Sequence, residues 1–294
     1  LEIVDFLNAR ARENQWGFVD FNRPMVAINQ WEQAEDSMYT LCGKDRIHPS
    51  TDGHLVMAYL FLKAQGLAGK PVADIRIDGA GKKVTRSDNC RVSDLSVSSD
   101  NLTFTYEAKS LPYPIDTSYY DNEKHTQADA LSVIPFMDEM NYEGLSVSGL
   151  SDGYYGLTIG GEFIGRFTAR ELERGINMAL LQNTPQYKQA MKIRQMNEER
   201  WLKERKMREF YWVEYNLMRK TGMLWACNEA AVDTLRKYRP HDIFLQWNGD
   251  LWLQYMHKGI REDCVNEQQD LVNQIYEQNK PIPLRIEIKK FTDL

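Results

Sequence analysis

The sequence predicts a mixed α/β protein with three consecutive parts: the end of an α/β layer, an antiparallel β module and a helical region containing one long helix. Residues 1–68 show the patterns of helix, strand, loop and helix in that order. Apolar residues alternate from about Val72 onward, which is the period of a β-strand. A capped helical run begins at Thr184-Pro185. The predicted parts are 1–68, 69–167 with a strand at 283–290 returning to it, and 168–280.

Composition limits the possible functions. The chain has 294 residues, of which 43% are hydrophobic and 27% charged, enough for two or three units with a sizeable core. Its net charge of −6 gives no electrostatic reason to expect nucleic acid or an anionic membrane as a partner. The apolar runs are too short to span a bilayer. The four cysteines form no C-x-x-C motif or zinc-ligand spacing, so we predict neither a metal nor another cofactor.

The first part combines two helices with a short apolar run. Leu1–Asn14 is predicted to be an amphipathic helix, and Pro24–Gln33 to be a second one. Between them Gly17–Phe21 suits a buried strand. A further helix, Leu55–Gln65, follows a polar loop and ends at Gly66. In doubly wound folds, catalytic loops leave the carboxyl ends of strands, so this loop is the place to look for a site.

The second part shows strand periodicity between turn signals. Residues alternate in Ala73–Ile77, Leu102–Tyr106 and Tyr154–Ile159, and Gly160-Gly161 predicts a hairpin turn. A strand near Leu284–Ile288 is expected to rejoin these strands. Together they predict the antiparallel β module.

The third part opens with a capping box, Thr168-Ala169-Arg170-Glu171. The run from Thr184-Pro185 is predicted to continue as one helix to about Lys220 and to end at Gly222. Shorter helices are predicted after it, at Glu229–Lys237, Leu245–His257 and Glu262–Gln278.

The polar loop of the first part carries the best candidate site. Asp45 stands three residues before His48, so its carboxylate could accept the imidazole Nδ1–H and direct Nε2 at a hydroxyl nucleophile. His48 would then be the general base and acid. Ser50 is the expected N-cap of the next helix. His54, on the first turn of that helix, is predicted to be packed or hydrogen-bonded rather than reactive. A metal site of Asp45, His48, Asp52 and His54 is conceivable, but its spacing matches no familiar ligand pattern.

The motif D-x-x-H-P, followed by Gly53-His54 and an apolar helix, resembles the last sequence block of the SGNH (GDSL-type) esterase and lipase family. This resemblance implies a three-layer α/β/α fold, an acyl-serine intermediate, and a Ser, a Gly and an Asn supplied upstream of the block. Only about forty residues precede the motif here, and the chain begins at Leu1. We therefore expect the C-terminal portion of a longer enzyme whose N-terminal half is a partner. The resemblance also suggests acylated carbohydrate or another small acyl ester as substrate, and a secreted or periplasmic location.

Two features support other hypotheses. Gly149–Gly153 matches G-x-S-x-G, but the motif needs a strand-to-helix elbow, and the residues that follow are predicted to form a strand. We expect a β-turn there and predict no serine of this chain, Ser151 included, as nucleophile. The competing function is a non-catalytic carbohydrate-binding or protein-interaction module. Five aromatic residues could bind sugar rings, although this helical spacing is more typical of a core: Trp201, Tyr211, Trp212, Trp247 and Trp252.

Overall fold

The structure is a computed structural model that describes residues 2–118 and 125–291, and it divides the chain into two compact units. The first unit comprises Leu1–Ala190 and Pro281–Leu294, and the second comprises Met191–Lys280. Two β-sheets and several helices confirm the predicted mixed α/β class. The sequence also predicts a polar loop from Lys109 to Thr126, and its residues 119–124 lie outside the described residues.

The N-terminal part of the first unit is helical. It contains α1 (Glu2–Glu13), α2 (Asn22–Glu32) and α3 (Thr51–Ala64). The buried strand predicted at Gly17–Phe21 is absent, and these residues form an irregular connection that ends at the N-cap of α2. No strand precedes β1 (Ala73–Asp78) in the described residues, so this run has no neighbour with which to form a ladder. The predicted α/β layer is therefore wrong for residues 2–72.

Strands dominate the remainder of the first unit. Two short helices, α4 (Phe136–Glu139) and α5 (Ala169–Arg174), lie between them, and α6 (Pro185–Val213) begins in this unit. The strands that follow β1 are β2 (Lys83–Asp88), β3 (Cys90–Val97), β4 (Asn101–Ala108), β5 (Glu143–Ser148), β6 (Tyr154–Ile159), β7 (Glu162–Thr168), β8 (Ile176–Asn177) and β9 (Leu284–Lys290).

The strands form a four-stranded sheet in the order β2-β1-β5-β8 and a five-stranded sheet in the order β3-β4-β9-β6-β7. The second sheet is antiparallel throughout, with β9 between β4 and β6. In the first sheet β1 and β5 are parallel, with Ile75 opposite Leu145. The prediction of an antiparallel module is therefore wrong for β1 and β5. A parallel pair is joined by a long crossover connection, which no local turn residue indicates.

Two apolar clusters hold the first unit together. The larger one draws buried side chains from both sheets, for example Ile75 of β1, Phe104 of β4 and Ile286 of β9. The smaller one joins Leu41 and α3 to residues 115–136, where Phe136 is buried. Helices α2 and α3 therefore pack onto described residues between β4 and β5, because neither piece alone encloses a core.

The second unit is helical. After α6 the helix continues through one π-helical turn, Glu214–Met218, and the chain then forms α7 (Glu229–Tyr238), α8 (Ile243–Tyr255) and α9 (Lys258–Gln278). Its core includes Trp252, which is fully buried. None of the helices that the structure describes has both the length and the apolarity needed to cross a bilayer.

Candidate functional site

The candidate site lies on a tight loop between Leu41 and Ser50. The Ser50 N–H donates to the Leu41 carbonyl at 3.0 Å, and the Gly43 N–H donates to the His48 carbonyl at 2.8 Å. Cys42 and Pro49 face each other in an isolated antiparallel bridge. These contacts close the base of the loop, and the four residues between Gly43 and His48 project from it. The closed base fixes the positions of Asp45 and His48.

Gly53 allows α3 to begin directly against the base of this loop. A Cβ atom at Gly53 would lie 2.0 Å from the Leu41 carbonyl oxygen, far inside van der Waals contact. The helix backbone therefore approaches the loop backbone as closely as only glycine permits. Gly53 of the Gly53-His54 pair is therefore required for this packing, which holds the site loop and α3 in one arrangement.

Asp45 and His48 form a short, directed pair. One oxygen of Asp45, Oδ2, lies 2.6 Å from Nδ1 of His48. The other oxygen, Oδ1, accepts the backbone N–H groups of Ile47 at 2.9 Å and His48 at 3.1 Å. The hydrogen bond from His48, together with these backbone bonds, lowers the pKa of Asp45 to about 2. The carboxylate is thus ionised and orients the imidazole at neutral pH.

The reactive end of His48 points to solvent. Its side chain is 84% exposed, and in residues 2–118 and 125–291 Nε2 has no hydrogen-bond partner. A surface pocket of about 280 Å³ lies in the same unit, lined by Ala27, Ile28, Trp31, Glu32, Ser132 and Val133, and contains neither member of the pair. The arrangement can move a proton at Nε2, and none of the described hydroxyl or thiol groups forms a hydrogen bond with this nitrogen.

The residues next to the pair behave differently from the sequence prediction. Ser50 occupies the N-cap position of α3 but makes no capping hydrogen bond, because its hydroxyl donates to the buried carboxylate of Asp52. His54 is exposed rather than packed. Sequence reasoning also missed His125, whose Nδ1 lies 3.6 Å from Oδ2 of Asp52. His125 stands 73 positions after Asp52, and no local signal in the sequence indicates this contact.

The structure groups no three histidine, cysteine or acidic side chains in metal-binding geometry within its described residues. The metal site considered for Asp45, His48, Asp52 and His54 is therefore not formed in that part of the chain. Asp52 faces His125 instead of joining Asp45 and His48.

The G-x-S-x-G segment is the turn between β5 and β6, so the elbow that its motif requires is absent. The Ser151 hydroxyl accepts a hydrogen bond from Nζ of Lys290 at 2.8 Å and lies 3.2 Å from the Tyr155 hydroxyl. Of the five aromatic residues that could bind sugar rings, Trp252 lies in the core, which is the position that its helical spacing favours. It is buried, and its indole N–H donates to Glu214 at 2.8 Å.

Comparison with known proteins relates the helical unit to a known family of domains. Residues 191–280 match the family model of the diltiazem deacetylase C-terminal helical domain, which coincides with the second unit. The particular relative is a solved structure, the gut microbial diltiazem-metabolizing enzyme BT4096. It is 41% identical with a TM-score of 0.92, and the match covers 99% of this chain. The chain spans 66% of the length of that relative. No curated protein matches.

These comparisons correct the expected family. The chain is similar to a diltiazem-metabolizing enzyme and carries the matching helical domain, and the predicted membership of the SGNH family is wrong. The ten-residue block from Asp45 to His54, with its D-x-x-H-P motif, is too short to specify a family. The secreted or periplasmic location, and the carbohydrate ester and lipase functions, rested on that assignment and lose their basis.

Proposed function

We propose that the protein is an acyl-ester hydrolase that removes an acetyl group from a small molecule. Asp45 and His48 are the orienting carboxylate and the general base. The observation that carries this proposal is the 2.6 Å contact between Asp45 Oδ2 and His48 Nδ1, with Nε2 exposed. The 41% identity to a diltiazem-metabolizing enzyme and the match to the deacetylase helical domain support the acetyl ester as the substrate class.

The chemistry follows from the orientation of the ring. Nε2 of His48 takes the proton of a hydroxyl nucleophile as its oxygen attacks the ester carbonyl. The imidazolium that forms lies beside the ionised Asp45, which stabilises its charge. The proton then passes to the departing alkoxide, and the acyl-enzyme remains. A water molecule, activated by the same nitrogen, releases acetate and restores the hydroxyl.

The nucleophile, in this proposal, comes from a further segment that covers the exposed side of residues 2–67. Large apolar side chains are exposed there, and apolar surface of this kind can be covered by a further segment. The nine residues are Ile3, Phe6, Leu7, Trp16, Val26, Trp31, Met38, Ile47 and Phe61. The relative has the length for such a segment, because 66% of its chain is matched. Covering His48 would also lower the local dielectric, which strengthens its contact with Asp45.

The proposal is tested by acetate release from diltiazem and from p-nitrophenyl acetate. The 294-residue chain and the longest protein encoded in frame with it are compared, each with Asp45→Asn. We expect turnover by the longer protein, a strong loss in Asp45→Asn because the imidazole loses its tautomeric control, and background rates from the 294-residue chain. Turnover by the 294-residue chain that Ser151→Ala abolishes would refute the assignment of the nucleophile. Full activity of the longer Asp45→Asn variant would refute the pair.

A further inference from the structure

The helical unit brings an exposed thiol and an imidazole into contact. Sγ of Cys227 lies 3.4 Å from Nδ1 of His257, and both side chains are exposed. Cys227 stands in the connection before α7, and His257 directly precedes α9. Thirty residues separate them in the sequence. The fold therefore assembles this pair at the starts of two helices.

Helix capping does not account for the contact. His257 occupies the N-cap position of α9, yet its ring makes no capping hydrogen bond and turns to the thiol. The start of α7 is capped by Asn228, whose side chain accepts the Ala231 N–H at 3.0 Å. An exposed hydrogen bond of this kind adds little to stability. Since neither side chain serves its helix, the pair is free to act chemically.

Cationic residues stand next to His257 in the sequence. Lys258 follows His257 directly. Arg261 donates hydrogen bonds to the carbonyls of Tyr255 and Met256, the two residues that precede His257. The amino end of α9 adds its own partial positive charge. Two acidic residues close to the pair in the sequence, Glu262 and Glu229, form ion pairs with Lys258 at 3.1 Å and with Arg236. Cations and a helix amino terminus stabilise a thiolate, the nucleophilic form of cysteine.

We propose that Cys227 is a reactive thiol, activated by His257, that exchanges with small-molecule disulfides. The imidazole takes the thiol proton, and the thiolate attacks one sulfur of the disulfide. The bond between the two sulfurs of the small molecule breaks as the new bond to Sγ forms. The leaving half departs as a thiolate and receives the proton from the imidazolium. The product is a reversible mixed disulfide on the helical unit, and this inference does not depend on the proposed hydrolysis.

The other cysteines provide an internal comparison. Cys90 and Cys264 are buried in the two apolar cores, and Cys42 is half-buried beside the candidate site. Buried thiols react slowly because the reagent cannot reach them. A single fast thiol in the native chain therefore identifies one exposed position, and peptide mapping assigns it.

The experiment uses the whole 294-residue chain and a nitrobenzoate disulfide, which releases a coloured thiolate on exchange. We expect one fast equivalent per chain at pH 7, located at Cys227 by mass spectrometry and lost in Cys227→Ser. His257→Gln should slow this phase about tenfold, because a free thiol is only a few per cent thiolate at that pH. Its rate should also rise more steeply with pH than that of the wild type. His54→Gln, another exposed histidine substitution, is the matched control and should leave the rate unchanged.

A second variant guards against a folding defect. His257→Ala should be slow as well, and added imidazole should restore part of its rate by replacing the missing base. Unfolding by urea should show that both variants keep wild-type stability. The proposal is overturned if Cys227 reacts no faster than Cys42, or if His257→Gln and His54→Gln give the same rate and the same pH profile.

Discussion

Glu143 should make the stability of the first unit fall as pH rises. It begins β5 and has 0% of its surface exposed, and its carboxylate accepts hydrogen bonds from the Tyr106 hydroxyl at 2.8 Å and from Nε2 of Gln186 at 3.2 Å. Burial outweighs these bonds and raises its pKa from 4.5 to about 7. In the pH range between these values the folded protein holds a proton that the unfolded chain has lost. Stability is therefore full below pH 4.5 and decreases as pH rises through 7.

The magnitude follows from the two values. Each pKa unit corresponds to about 1.4 kcal/mol, so raising the pKa from 4.5 to about 7 costs about 3 kcal/mol when Glu143 is ionised. Glu143→Gln keeps the shape without the charge. The Oε1 atom of Gln186 is buried and has no hydrogen-bond partner in the part of the chain that the structure describes, so a flip of this amide would let it accept the new side-chain N–H. We therefore expect the variant to gain up to about 3 kcal/mol at pH 8 and almost nothing at pH 4.5.

The assay is native-state hydrogen exchange of the β4 and β5 amides between pH 4.5 and 8, corrected for intrinsic exchange, which reports this unit apart from the helical one. Glu173→Gln, an exposed substitution on α5, is the control and should leave the pH dependence as it is. A wild-type stability that is flat from pH 5 to 8 would refute the reasoning, as would a Glu143→Gln variant that is less stable than wild type at pH 8.

Three further predictions concern packing and the site loop. Gly53→Ala should lower the free energy of unfolding in urea by at least 1–3 kcal/mol, because the new Cβ atom meets backbone atoms. Gly259→Ala on α9, where a Cβ atom meets open space, should be neutral or stabilising by up to about 1 kcal/mol. Equal effects of the two substitutions would contradict the close approach at Gly53. Glu214→Ala should destabilise the helical unit by about 1–3 kcal/mol because the buried Trp252 indole N–H loses its partner, and unchanged tryptophan-monitored unfolding would exclude this. Asp45 has a lowered pKa, so its contact with His48 should persist above pH 4 and be lost as pH falls through about 2; a carboxyl NMR titration centred near 3.8 would contradict it.

Local signals gave the elements that depend on local geometry. Gly160 and Gly161 form the predicted hairpin turn, with φ values of +60° and +85° that glycine adopts without strain. The predicted capping box at Thr168 is present, since its hydroxyl accepts the Glu171 N–H at 3.1 Å. The Asp45–His48 contact belongs to the same group, because a three-residue spacing on a closed loop leaves few other arrangements.

Features set by distant residues could not be predicted. A short apolar run such as Gly17–Phe21 forms a strand only where another strand is available, and the sequence does not say whether one is. The parallel pairing of β1 with β5 and the contact of His125 with Asp52 both join segments that are separated by dozens of residues. The hydrogen bond from the Trp252 indole N–H to Glu214 likewise joins two segments that the sequence does not place together.

The role of His48 is the central claim, and one comparison tests it most directly. His48→Ala and His54→Ala are assayed side by side for acetyl-ester hydrolysis in the longest encoded protein. Removing a general base lowers kcat by about 10²- to 10⁴-fold, so His48→Ala should fall in that range with KM nearly unchanged. The exposed His54 has no proposed part in the chemistry, and its variant should keep the wild-type rate. A near-wild-type kcat for His48→Ala, or equal losses in both variants, would contradict the account.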